Sequence, residues 1–189
     1  VPLVLLLSLP AAIAQTEDGE IDATLDRITV IAQKREQNLQ DVPVSVSVLS
    51  DQKLNAFTTG GRDIRLLSSR LPSLQVESSF GRAFPRFYIR GLGNTDFDLN
   101  ASQPVSLVYD GVVLENPILK GFPIFDLERI EMLRGPQGTT FGRNTPAGAL
   151  LFESRKPSQT ADAYAQLAYG EYNAVNFEGA YGGPINQQF

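Results

Sequence analysis

Asp126-Leu127-Glu128-Arg129-Ile130-Glu131-Met132-Leu133-Arg134-Gly135-Pro136-Gln137-Gly138, running on through Thr139-Thr140-Phe141-Gly142-Arg143-Asn144, is the stretch from which the fold is read. Ile130 to Arg134 reads as a strand, and glycines at 135, 138, 142 and 148 punctuate the loop behind it. Ala149–Glu153 reads as the next strand. A glycine-rich loop after a strand invites a phosphate-cradle reading. Walker A, however, needs Gly, four residues, then Gly-Lys-Ser/Thr. Gly138 and Gly142 are too close for that, and Arg143-Asn144 stands where the Lys-Ser/Thr pair belongs. Gly91-Leu92-Gly93 lacks the third glycine of a dinucleotide fingerprint, with Asp96 in its place. Both nucleotide readings fail.

Upstream, Val105–Tyr109 and Val112–Leu114 flank Asp110-Gly111, the dipeptide of a tight primed hairpin turn. Short strands are expected at Leu74–Glu77 and Phe87–Arg90. Val42, Val44, Val46 and Val48 alternate with Pro43, Ser45 and Ser47, the period of a half-buried strand. Pro43 has no N–H for a ladder, so this strand is entered at its end or lies at an edge. Ser50 is placed to cap a helix carrying Leu54 and Phe57, stopped by Gly60-Gly61. Ile64, Leu67 and Leu71 form a second short apolar stripe, ended before Pro72. These elements predict an α/β (α+β) domain over residues 42–157, with a small mixed β-sheet and short helices.

The two ends of the chain differ in texture. Val1–Leu9 is almost wholly apolar and leads to Ala12-Ile13-Ala14, so residues 1–14 read as a signal peptide cut short at its start. Residues 15–41 read as a flexible, polar segment interrupted by Ile28-Thr29-Val30-Ile31-Ala32. That β-prone run is either a weak edge strand of the next domain or a strand awaiting a partner. Beyond Lys156-Pro157, residues 158–189 alternate. Ala163, Ala165, Leu167 and Tyr169 share one face, Tyr164, Gln166 and Ala168 the other, and Val175–Tyr181 repeats the pattern after the turn Gly170-Glu171-Tyr172-Asn173. Membrane-barrel strands alternate in this way, and so does a soluble sandwich hairpin.

Bulk properties narrow the function. The 189-residue chain has a net charge of −5, which argues against a nucleic-acid partner. Without Cys or His it has no disulfide, no cysteine nucleophile, no Ser-His-Asp triad and no ordinary zinc or haem ligand set. No close carboxylate pair stands out. No catalytic, metal or cofactor residue is assigned, and the chain reads as a non-enzyme.

The quoted stretch closely resembles the plug signature of TonB-dependent outer-membrane receptors. Phe87-Tyr88-Ile89-Arg90-Gly91 is similar to that family's Ile-Arg-Gly strand end, and Val108-Tyr109-Asp110-Gly111-Val112 to its hairpin. Ile28–Ala32 resembles the TonB box. In one respect the sequence departs. The family usually continues Gly-Gly-Ala into a β-branched run, whereas here Pro146-Ala147-Gly148-Ala149 leads into Leu150-Leu151-Phe152-Glu153, which alters the packing of that strand. Residues 15–27 are also too short a stretch for an added N-terminal signalling domain.

The resemblance implies a plug domain followed by the first antiparallel strands of a transmembrane β-barrel, in the outer membrane of a Gram-negative bacterium. The implied function is TonB-dependent uptake of a large scarce nutrient. A ferric siderophore is the commonest cargo, with cobalamin, haem or an oligosaccharide as others. Its partners would be TonB, its own barrel and outer-membrane lipid. Arg134 and Arg143 are expected to pair with glutamates of the barrel wall; alternatively, Arg134 pairs with Glu131 or Glu128 inside the plug. Apical loops offer Arg82 and Phe84, then Asp96, Phe97 and Asn100, then Asn116 and Phe122 as substrate contacts. Two other classes stay open: a soluble periplasmic ligand-binding module, and a cell-surface carboxylate-dependent hydrolase.

Overall fold

A computed structural model describes residues 28–50, 53–54, 63–96, 98 and 100–184. The signal peptide, the start of the polar segment, Phe57 with its glycine stop, and Phe97 lie outside the described residues. Among the described residues there are eleven strands: β1 (Thr29–Val30), β2 (Gln37–Asn38), β3 (Ser45–Ser50), β4 (Leu74–Glu77), β5 (Arg86–Ile89), β6 (Val105–Tyr109), β7 (Val112–Leu114), β8 (Leu127–Arg134), β9 (Gly148–Ser154), β10 (Asp162–Tyr169) and β11 (Val175–Gly182). Five of them form the central sheet in the order β3-β8-β9-β6-β7. Within it β6 and β9 run parallel and the other pairs antiparallel, so the sheet is mixed as expected.

Burial follows from the pattern. In β8, Ile130 and Met132 face one side while Glu131 and Leu133 face the other, and all four are fully buried. In β9, Leu150 and Phe152 enter the first layer, and Ala149 and Leu151 the second. A central strand covered on both faces reads as a continuous apolar run, not an alternating one. The first layer includes Leu67 and Leu71, from the segment around a 3-10 helix (Ile64–Ser69), together with Phe87, Ile89 and Ile124. Asp63 caps this helix by accepting from the Arg65 amide at 3.0 Å. The departure at Phe152 has a packing reason. Phe122 meets Phe152 edge-on at 4.9 Å and Tyr109 at 5.3 Å, so the large ring completes an aromatic stack where a β-branched residue would leave space.

Several expectations shift. β3 is an edge strand entered after Pro43, as the proline demands. Strand β8 starts at Leu127, because an irregularity between Leu127 and Arg129 lets its first residues still pair with β9. The strand expected at Phe87–Arg90 is Arg86–Ile89; Arg90 has φ +54 and lies beyond it. A one-turn helix, α1 (Gly138–Phe141), interrupts the glycine loop, too short to show a period, and buries Phe141. Asp110 and Gly111 take φ of +46 and +79, the primed turn that their sequence predicts.

The largest correction concerns residues 28–41, which are packed rather than free. β1 pairs with β2, and Val30 and Ala32 are buried against Val42, Val108, Leu133 and Phe141. At the other end, β10 and β11 form a hairpin whose outer face exposes Leu167, Tyr169, Val175, Phe177 and Tyr181, each between 64% and 79%. Among the described residues no helix is long and apolar enough to cross a membrane, which leaves crossing by strands untouched.

Candidate functional site

Three places gather the residues that the sequence singled out. The first is the docked segment. Glu131, between the apolar Ile130 and Met132 of β8, is wholly buried; its Oε1 accepts from the Ile31 amide at 2.8 Å and from Arg129 Nε at 3.0 Å. Burial pushes the Glu131 carboxyl above the ordinary carboxylate range, against the opposing pull of the Ile31 N–H and the Arg129 charge. A β-prone run that cannot bury itself has found a sheet face and one charged acceptor.

The second place is the pair of arginines. Arg134 does not pair with Glu131 or Glu128, both of which bind Arg129. Its guanidinium donates to Ser73 Oγ at 2.9 Å, Ser47 Oγ at 2.8 Å, Ser45 Oγ at 3.4 Å and the Pro72 carbonyl at 2.9 Å. Burial, and then the charge of Arg90, push Arg134 below its ordinary value. Arg143 instead makes a forked pair with Glu115 inside the domain, at 2.9 and 3.3 Å, and is largely exposed.

The third place is a polar pocket of about 350 Å³ at the end of the sheet where β6 begins and β7 ends. The hairpin β10–β11 attaches at the opposite end, near Asp126 and Arg155. Asn100 and Asn116 both line this pocket, with Gln103, Ser106, Glu115, Lys120, Arg143 and Asn144. The other proposed contacts scatter. Arg82 lies 3.6 Å from Asp63, and Asp96 is exposed within a run of turns in which its Oδ1 accepts from the Asp98 amide. Phe84 is buried and Phe122 is held in the aromatic stack, so both serve the core and not an apical surface. Reasoning from sequence gave Gln103 and Lys120 no role of their own within their loops, and gave Glu131 only as a partner for Arg134. For Glu131 the local signal was weak, since half of Leu127–Arg134 is charged and one more acid there does not mark itself as buried.

A family model described as the TonB-dependent Receptor Plug Domain matches residues 38–149, more than half of the chain. The chain belongs to the TonB-dependent receptors. With them it is assigned to the Gram-negative outer membrane. It is 26% identical to the pesticin receptor of Yersinia pestis, over 97% of this chain and 26% of that protein. It is 28% identical to the vitamin B12 transporter BtuB of Vibrio vulnificus, over 78% of this chain and 23% of that one. The crystal structure of the ferric yersiniabactin uptake receptor FyuA from Yersinia pestis superposes with a TM-score of 0.67 at 26% identity, covering 75% of this chain and 22% of the other. The ferripyoverdine receptor of Pseudomonas aeruginosa shares the fold, with a TM-score of 0.67 at 18% identity over 85% of this chain and 20% of that one. The chain thus spans about a quarter of the length of the curated relatives it matches.

Proposed function

We propose that this chain supplies the coupling segment and the plug of a receptor that takes up a large, scarce nutrient across the outer membrane at TonB's expense. The plug match over residues 38–149 carries the reading. A ferric siderophore leads as cargo, because one similar protein of known structure is named a ferric yersiniabactin uptake receptor. Ile28–Ala32 acts as the TonB box. In the resting plug its β1–β2 pairing and the bond to Glu131 occupy it, so TonB must compete for the same main-chain groups to add it as a strand. Arg82, Asp96, Asn100 and Asn116 remain substrate contacts under this reading. Arg134, with no carboxylate partner among the described residues, is the better candidate for a wall glutamate; Arg143 would have to give up Glu115 first.

Lipid is the natural neighbour of the hairpin's outer face. Five exposed large side chains on one sheet face make an unusual surface in water, which disfavours the soluble binding module. The relatives are named receptors and a transporter, which disfavours the hydrolase. The test is accumulation of iron-labelled siderophores and labelled cobalamin by cells producing the whole receptor, with and without TonB. Accumulation that needs TonB, with surface binding that does not, supports the reading. Uptake indifferent to TonB would sink it.

A further inference from the structure

The polar pocket has an inner wall whose hydrogen-bonding needs the chain leaves unmet. Gln103 is only 4% exposed, and neither its amide oxygen nor its amide nitrogen has a partner among the described residues. A buried amide left this way carries its full desolvation penalty until something supplies both a donor and an acceptor. Lys120 is 2% exposed, and its Nζ reaches the Val105 carbonyl at 3.3 Å, two residues along from Gln103. The nearby carboxylate, Glu115, is already engaged by Arg143 and by Asn144 Nδ2 at 3.1 Å. A buried ammonium with a neutral carbonyl for company calls for an anion. Burial pulls Lys120 down to about 8, which fits that shortfall. Ser106, buried beside them, adds a hydroxyl that donates or accepts.

We propose that this pocket is a subsite for a carboxylate-bearing amide, the carboxylate against Lys120 and the adjoining amide against Gln103. One group thereby meets the charge, and the other meets the donor and the acceptor. About 350 Å³ is small for a whole large nutrient, so one end of the ligand enters here and the rest lies outside. The proposal rests on the transport reading only for where the ligand comes from, and its test measures binding without uptake.

N-acetylglycine is titrated into the 189-residue chain while NMR follows the Gln103 side-chain amide and the Lys120 side chain. Saturable binding is expected, with the Gln103 signals shifting and the Lys120 titration moving upward. The uncharged N-acetylglycinamide should bind about tenfold more weakly, as should N-acetylglycine to Lys120→Met and to Gln103→Leu. If either variant fails to fold, the two probes on the unaltered chain decide alone. Absence of saturation, or equal binding of both probes, overturns the proposal. So does binding that the chain shows and the whole receptor has lost, which would assign Lys120 to a carboxylate of the barrel wall.

Discussion

Arg134 and Arg143 stand on either side of one glycine-rich loop, yet the fold uses them differently. Arg134 ties the start of β3 to the Pro72–Ser73 bend through four hydrogen bonds, three of them to serine hydroxyls. Hydrogen bonds to a charged group contribute about 1.5–3 kcal/mol each when buried and less where water competes. In the chain alone, Arg134→Ala should therefore cost about 1–3 kcal/mol in urea unfolding. Arg143→Ala should cost at most about 1 kcal/mol, because an exposed pair is screened. The reverse order would mean that the Ser contacts do not hold in solution. Lys120 makes a separate prediction. Its folded value of about 8 lies below the ordinary 10.5, so between those values the unfolded chain binds more protons and stability rises with pH. The rise is on the order of 3 kcal/mol at most, and Lys120→Met should abolish it. A pH profile that the substitution leaves unchanged would show that Lys120 is not buried as described.

Among the elements, the β8–β9 ladder is the one that tolerates least change. Gly148 opens β9 at φ +149, and a Cβ there would stand 2.1 Å from the Leu133 carbonyl oxygen. A backbone atom cannot move aside as a side chain can, so Gly148→Ala should destabilise the chain by several kcal/mol and lower its thermal midpoint sharply. A change within the scatter of surface substitutions would refute this register. The elements also show what was legible. The Asp110-Gly111 hairpin and Leu74–Glu77 were readable because turn chemistry and period-two patterning are local. Docking of residues 28–41 was not, because it depends on contacts far along the chain, above all that of Ile31 with Glu131, 100 residues away. Nor was the inward turn of Phe84 and Phe122, since an aromatic residue in a loop looks the same whether it faces solvent or core.

For the molecule as a whole, the central sheet and the terminal hairpin are separate sheets. The hairpin shares with the plug Arg155 over the Tyr164 ring at 5.7 Å, while its outer face is bare. Deleting residues 162–189 should turn a self-associating chain into a monomer with the sheet intact, as sedimentation and amide exchange would report. Unfolding of residues 42–157 on that deletion would show that the tail belongs to the domain. The polar pocket was legible only in part: Asn100, Asn116 and Arg143 were singled out from sequence, but not that they meet in one place. Gln103 and Lys120 are ordinary loop residues until β6 and β7 bring them together. In the proposed coupling step, Ile28–Ala32 leaves its sheet face to pair with TonB. These 189 residues hold no cysteine, so Thr29→Cys adds a single thiol to this part of the whole receptor. Cross-linking to a cysteine on a TonB edge strand should trap the pair in living cells, and Ile31→Pro, which removes a ladder donor, should abolish it. Absence of any cross-link, from a receptor correctly placed in the outer membrane and binding its ligand, would mean that this segment does not meet TonB.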